Sequence, residues 1–148
     1  MSTAAPNAYL RNAVLTATPE QLQLMLYDGA IRFASQGADA IEQDDYEASF
    51  ETLSRAQKIV LELRAGVRRE ANPELCDQMT QLYHYIYQRL VDGSINRDAE
   101  TIREAVKLLE YQRETWVMLI ERIGRERAAD DDATEQDESG GGLLCVDG

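Results

Sequence analysis

The stretch Thr18-Pro19-Glu20-Gln21-Leu22-Gln23-Leu24-Met25-Leu26-Tyr27-Asp28-Gly29-Ala30-Ile31-Arg32-Phe33-Ala34 decides the fold. It opens on a strong helix-start signal. Thr18 can N-cap a helix, Pro19 suits the first helical position where its missing N–H costs nothing, and Gln21 can close a capping box. Apolar or small residues then recur at spacings of three and four: Leu22, Met25/Leu26, Gly29, Phe33, Gly37 and Ala40. That period predicts a helix from Pro19 to about Gln43 with this line as its core stripe. The same helix carries a second apolar face. At 100° per residue, Leu24, Tyr27 and Ile31 fall roughly 140–200° from the first line, with Ala34 and Ala38 between. No single neighbour can cover faces nearly opposite each other. Either the N-terminal segment around Tyr9 folds over the second face, or a partner does.

Moving outward, the same grammar repeats. Asp44-Asp45 breaks the first long helix and offers the next N-cap. A second helix is predicted from about Tyr46 to Arg69, with Tyr46, Phe50, Leu53, Gln57, Val60, Arg64 and Val67 on one line. A second line, Ala48, Thr52, Ala56, Ile59 and Leu63, lies beside it. Asn72-Pro73 repeats the cap-plus-proline signature and opens a third helix to about Val91, striped by Leu75, Met79, Leu82, Ile86 and Leu90. Asp92-Gly93-Ser94 is read as its end. Asp98 caps a fourth helix carrying Ile102, Val106, Leu109, Arg113, Trp116, Ile120 and Ile123. Short connections between long helices make neighbours antiparallel. The predicted fold class is therefore all-α: an antiparallel up-down four-helix bundle over residues 19–127, with a short N-terminal helical segment over 1–18. The remainder, 128–148, reads as an acidic, Gly-rich disordered tail, because it holds too little apolar surface to order itself.

Charge and cysteine usage narrow the function classes. The net charge of −12 is unevenly placed: the last nineteen residues hold seven acids and no base, leaving fifteen bases against twenty acids before residue 130. The bases are scattered, so the electrostatic footprint of a nucleic-acid binder is missing. Cys76 and Cys145 read as reduced thiols of a cytoplasmic protein rather than as a disulfide framework. The opening Met1-Ser2-Thr3-Ala4-Ala5-Pro6-Asn7 has no secretory-signal pattern, and no run approaches the roughly 18 apolar residues that span a bilayer.

Catalytic chemistry finds no footing. A carboxylate-bridged di-iron site in a bundle needs paired Glu-x-x-His motifs, and the single histidine, His84, follows Gln81 at that spacing. Phosphotransfer through His84 lacks the Lys-Gly pair expected just after such a histidine; the following residues are Tyr85-Ile86-Tyr87-Gln88. No phosphate-cradling glycine loop, activated nucleophile or zinc cluster is present in the sequence. Asp130 to Asp132 form a flexible triad that preorganises nothing. The reading is of a protein that is not an enzyme and needs no cofactor or metal.

At this point the residues resemble a known family. Tyr9, Thr16-Ala17-Thr18-Pro19-Glu20 and Leu24-Met25-Leu26-Tyr27-Asp28-Gly29-Ala30-Ile31-Arg32-Phe33 are similar to the opening of the flagellin-specific export chaperones, the FliS family. The likeness continues through Ala56-Gln57-Lys58-Ile59-Val60-Leu61-Glu62-Leu63, Leu82-Tyr83-His84-Tyr85 with Leu90, Asn96-Arg97-Asp98, and Leu108-Leu109 with Trp116. It implies a four-helix bundle of the bacterial cytosol that binds the disordered C-terminal region of flagellin in apolar grooves. It implies further that the bundle prevents premature polymerisation and hands the subunit to the flagellar type III export apparatus. The N-terminal segment bearing the tyrosine would act as a lid on part of that surface. Carried onto this chain, the partner-binding residues are Tyr9, Leu24, Tyr27, Ile31, Ala56, Ile59 and Leu63. A homodimer formed through the second apolar face, in the absence of client, is the alternative.

Overall fold

A computed structural model describes residues 4–67 and 72–139 of the chain. Within them run five helices: α1 (Ala4–Thr16), α2 (Pro19–Glu42), α3 (Tyr46–Ala65), α4 (Pro73–Ile95) and α5 (Ala99–Ser139). The protein is all-helical, as its periodicity predicts, and the described residues contain no strand.

The caps sit where the sequence places them. Thr18 Oγ1 accepts from the Gln21 amide at 3.1 Å while the Thr18 amide donates to Gln21 Oε1 at 3.0 Å, a complete capping box. Asp45 Oδ1 accepts from the Ala48 amide and Asn72 Oδ1 from the Leu75 amide, each at 3.2 Å. Asp98 starts α5 most thoroughly. Its carboxylate accepts from the Glu100 amide at 3.1 Å, the Thr101 amide at 3.3 Å and the Thr101 hydroxyl at 2.9 Å. Those bonds, the hydroxyl's first, hold the Asp98 carboxyl below the ordinary value of 3.8. A depressed folded value means the stabilisation is complete above the unfolded value and disappears as pH falls through the folded one. Asp98→Asn is therefore expected to flatten the acid limb of a stability–pH profile below about pH 4, where the wild type loses this contribution. An unchanged acid limb in urea titrations across that window would refute the role given to Asp98.

Helix ends depart from the sequence reading where packing or a cap intervenes. α3 stops at Ala65 because Gly66 takes the cap, its amide donating to the Glu62 carbonyl at 3.1 Å. Part of the predicted continuation, residues 68 and 69, lies outside the described residues. α4 runs through Asp92-Gly93-Ser94, read as a stop, and ends at Ile95. Gly93 sits inside that helix at a close approach to α5, where a Cβ would strike Ile102. α5 continues to Ser139, past the tail boundary read at 128. Ala, Glu, Gln and Arg favour helix without needing burial, and an Arg122–Glu126 pair at 3.2 Å supports the i, i+4 geometry. The rest of the tail, 140–148 with Cys145, lies outside the described residues.

The chain divides into two compact units, Met1–Glu114 and Thr115–Gly148. In the first, α2 to α5 form the bundle. Gly37 faces Leu53 and Gly29 faces Ile59, so α2 and α3 run antiparallel. Arg103 Nη2 meets Asp39 Oδ1 and Glu42 Oε1, each at 2.7 Å, while Arg113 pairs with Asp28, so α2 and α5 are antiparallel too. The core comprises Tyr27, Ala30, Ala34, Ala38 and Ile41 of α2, Leu53, Ala56, Val60 and Leu63 of α3, Cys76, Tyr83, Ile86 and Leu90 of α4, and Ile102, Ala105, Val106 and Leu109 of α5. In the second unit the described side chains are half-buried or exposed, Trp116, Ile120 and Ile123 being half-buried. The core line expected to run on through them thus ends at Leu109.

At the bundle centre the hydroxyls of Tyr27 and Tyr83 hydrogen-bond to each other, linking α2 to α4. Burial pushes both phenols above their ordinary value. Gln23 also hydrogen-bonds to both hydroxyls, so Phe at either position breaks the tyrosine pair and leaves the other hydroxyl with Gln23 as its remaining partner, at a cost of about 1 kcal/mol. Tyr27→Phe with Tyr83→Phe is expected to cost clearly less than the two single changes together, since the bond they share is lost only once. Strict additivity in urea unfolding would mean the hydroxyl pair contributes nothing.

Candidate partner-binding surface

The structure sorts the expected partner-binding residues into different environments. Tyr27, at 1% exposure, together with Ala56 and Leu63, stands in the core. This corrects their reading as surface positions. The buried residues of α2 are Tyr27, Gly29, Ala30, Ala34, Gly37, Ala38 and Ile41, centred about a quarter turn from the bulky members of the Leu22–Phe33 stripe. Rotating α2 so that its small residues face inward brings the helices close and turns both of its bulky lines into flanks. The Leu22–Phe33 line becomes one flank and Leu24 with Ile31 the other.

Each flank borders a seam. On one side Gly29 leaves a gap filled by Ile59 of α3; a Cβ at Gly29 would lie 3.2 Å from Ile59 Cδ1. Leu22, Leu26 and Phe33 project within about 60° of Gly29 and line this α2–α3 seam. Leu26, Phe33 and Ile59 are half-buried and Leu22 is exposed. On the other side Leu24 and Ile31, both half-buried, share the flank that carries Asp28 and Glu42, whose partners Arg113 and Arg103 belong to α5. Leu24 and Ile31 are thus brought together, and Ile59 stands apart from them across α2.

Tyr9 lies on α1, read from the sequence as a short segment and in fact thirteen residues of helix. It is 74% exposed, and Leu10, Val14 and Leu15 of the same helix are exposed as well. Their apolar surface is accordingly available for contact.

Two features escaped the sequence reading. The first is a cluster of charge around Phe33. The Arg32 guanidinium carbon lies 4.9 Å from its ring centroid, and that of Arg55, from α3, 5.6 Å. Contacts of this kind contribute about 0.5–1 kcal/mol at exposed sites. The second is a cavity of about 300 Å³ where α3 begins and α4 ends, lined by Tyr46, Ser49, Phe50, Ser94, Ile95 and Arg97. Phe50 had been placed in the core stripe of its helix, yet it is 68% exposed. The reason is the rotation of α3, which buries Ser49, Leu53, Ala56, Val60 and Leu63 instead. Arg97 stacks 3.8 Å from the Tyr46 ring centroid, and the Tyr46 hydroxyl donates to Asp44 Oδ1 at 2.7 Å. Ile95, the last residue of α4, is exposed as well.

His84 is exposed on α4, and no group of His, Cys, Asp and Glu among the described residues could hold a metal ion. No helix among them is long and apolar enough to cross a membrane. The surface is apolar, flanked by charge, and suited to contact.

Comparison with known proteins agrees in kind. The family model described as flagellar protein FliS matches residues 1–123. The flagellar secretion chaperone FliS of Bacillus subtilis is 39% identical over 120 residues, covering 81% of this chain and 89% of the relative. The flagellar secretion chaperone FliS of Salmonella typhimurium is 35% identical over 108 residues, covering 72% and 80%. Its Escherichia coli counterpart is 25% identical over 108 residues, covering 72% and 79%.

Proposed function

This chain belongs to the FliS family of flagellar secretion chaperones, and on that premise we propose that it binds the disordered C-terminal region of flagellin in the bacterial cytosol. Binding there keeps flagellin from polymerising early and presents it to the flagellar export apparatus. The observation that carries this reading is the pair of apolar seams flanking α2, Leu22, Leu26, Phe33 and Ile59 on one side and Leu24 and Ile31 on the other. Each seam suits an amphipathic segment laid along it.

The mechanism needs no chemistry from the bundle. A client that folds as it docks spends roughly 2–5 kcal/mol of the gross interaction on ordering itself, so the site must offer extended apolar contact. Seams on both sides of one helix let a single client wrap, adding contacts without demanding a deep cavity. Tyr27, Ala56 and Leu63 serve from beneath, as core residues that hold the helices under the seams, Tyr27 tying α2 to α4 through Tyr83. Tyr9 and the apolar residues of α1 are a further contact set, either for the client or as a lid over the seams when the client is absent. Release then falls to the export apparatus.

The test is co-expression with a flagellin C-terminal fragment followed by size-exclusion chromatography. Co-elution supports the reading. Separate elution, with this protein folded, removes it. The exposed apolar residues of α1 favour one other reading, self-association. Light scattering of the client-free protein distinguishes the two, since a stable dimer indifferent to flagellin belongs to the second alone.

A further inference from the structure

The α2–α3 seam carries a cationic feature on a strongly acidic protein, and that feature says something about what the seam selects. Arg32 and Arg55 reach the Phe33 ring from different helices. Both arginines are exposed in a chain of net charge −12. Among the described residues no carboxylate pairs with Arg32. Arg55 is paired with Glu51 at 3.2 Å, but the two side chains are 57% and 66% exposed, so the bond is weak and readily exchanged. Leu22, Leu26, Phe33 and Ile59 supply the apolar floor below.

The chain's own spare segments do not match this combination. α1 offers Tyr9, Leu10, Val14 and Leu15 but bears Arg11 and no acid. Residues 128–139 offer acids but no apolar side chain larger than alanine. Residues 140–148 add Leu143, Leu144 and Val146 but a single acid, Asp147, behind three glycines, too few for an apolar stripe with an acidic flank, so the segment that matches comes from another protein.

Building on the chaperone reading above, we propose that the α2–α3 seam takes one amphipathic helical segment of the client, whose carboxylate displaces Glu51 at Arg55 and meets Arg32 beside Phe33. The arginines then act as a specificity determinant. They orient the segment and reject one with a basic flank, because like charges brought together at an interface are costly.

The probes are two synthetic helical peptides with the same leucine stripe, one flanked by glutamates and the other by glutamines. They are titrated into the full-length protein by fluorescence anisotropy at low and high salt. The glutamate peptide should bind about fivefold more tightly at low salt, the scale of one or two exposed ion pairs. High salt should erase the difference. Arg32→Gln with Arg55→Gln should abolish the preference between the two peptides. Equal affinities, no binding of either peptide, or a preference that survives the double change would overturn the proposal. So would a homodimer that the double change dissolves, since the occupant would then be a second copy. A parallel titration with the flagellin C-terminal fragment separates the two levels. Binding unaffected by the double change defeats the arginine proposal alone, whereas wild-type protein that ignores the fragment defeats the chaperone reading as well.

Discussion

Gly37→Val is expected to lower the free energy of unfolding by about 2–3 kcal/mol, a large share of what a domain of this size possesses. Gly37 is buried on α2, and a Cβ built there runs into the side chain of Leu53, with Thr52 Oγ1 at 3.2 Å. Leu53 cannot step aside easily: it is itself fully buried, and the clash reaches its branch carbon rather than only a methyl end. Relief requires either an off-rotamer leucine or a wider spacing of α2 and α3, and wider spacing would loosen the seam where Gly29 meets Ile59. Against this stands a helix-propensity gain of several tenths of a kcal/mol on leaving glycine, too small to reverse the sign. Gly124 is the control. It lies on α5 in the second unit with nothing within 4 Å of a built Cβ. Gly124→Ala is expected to stabilise its own helix by up to about 1 kcal/mol. Urea unfolding followed by circular dichroism reads both. Equal midpoints for Gly37→Val and wild type would mean α2 and α3 do not pack as closely as the glycines indicate.

That contrast also explains which parts of the structure were legible in the sequence. Thr18 with Gln21, Asp45, Asn72 and Asp98 announce helix starts because capping is local, and a side chain one turn away is enough to see it. Fold class followed from those starts and from the 3.6-residue period. The direction α2 faces did not, whereas Leu53 and Val60 of α3, Ile86 and Leu90 of α4, and Ile102, Val106 and Leu109 of α5 lie in the core as their stripes predict. Leu22, Phe33, Phe50 and Leu75 are bulky apolar side chains and pull any period-based stripe toward themselves. In the structure Phe33 is half-buried and the others are exposed, while Ala30, Ala34, Gly37 and Ala38 occupy the centre. Close helix approach rewards small residues, and that reward is a property of pairs of helices that one helix cannot display. The misplacement of Tyr27, Ala56 and Leu63 has the same origin. Two apolar faces on α2 were visible, but the core lies between them rather than on one. Arg55 over Phe33 pairs residues from different helices, so no local pattern could reveal it.

The second large effect concerns the client. Ile31→Asp is expected to weaken binding of a flagellin C-terminal fragment by about 100-fold in titration calorimetry, close to 3 kcal/mol. Ile31 is half-buried in the free protein, so a covering client removes the rest of its surface from water, worth about 1 kcal/mol. The remainder is the penalty for pressing an unpaired carboxylate into apolar contact, which ordinarily exceeds the lost hydrophobic gain. Because the site is partly open to solvent before binding, the aspartate stays hydrated in the free protein, and unfolding should shift by much less than binding does. Ile31→Ala, which adds no charge beside Asp28 and Glu42, should lose about fivefold and guards against an effect of charge alone. Tyr27→Phe provides the opposite test. Its hydroxyl is buried against Tyr83, so the change should reduce stability yet leave affinity for the fragment nearly untouched. If Tyr27→Phe impaired binding in a protein that remained folded while Ile31→Asp did not, the client would be engaging a rearranged bundle whose core tyrosines are open, and the seams beside α2 would not be its site.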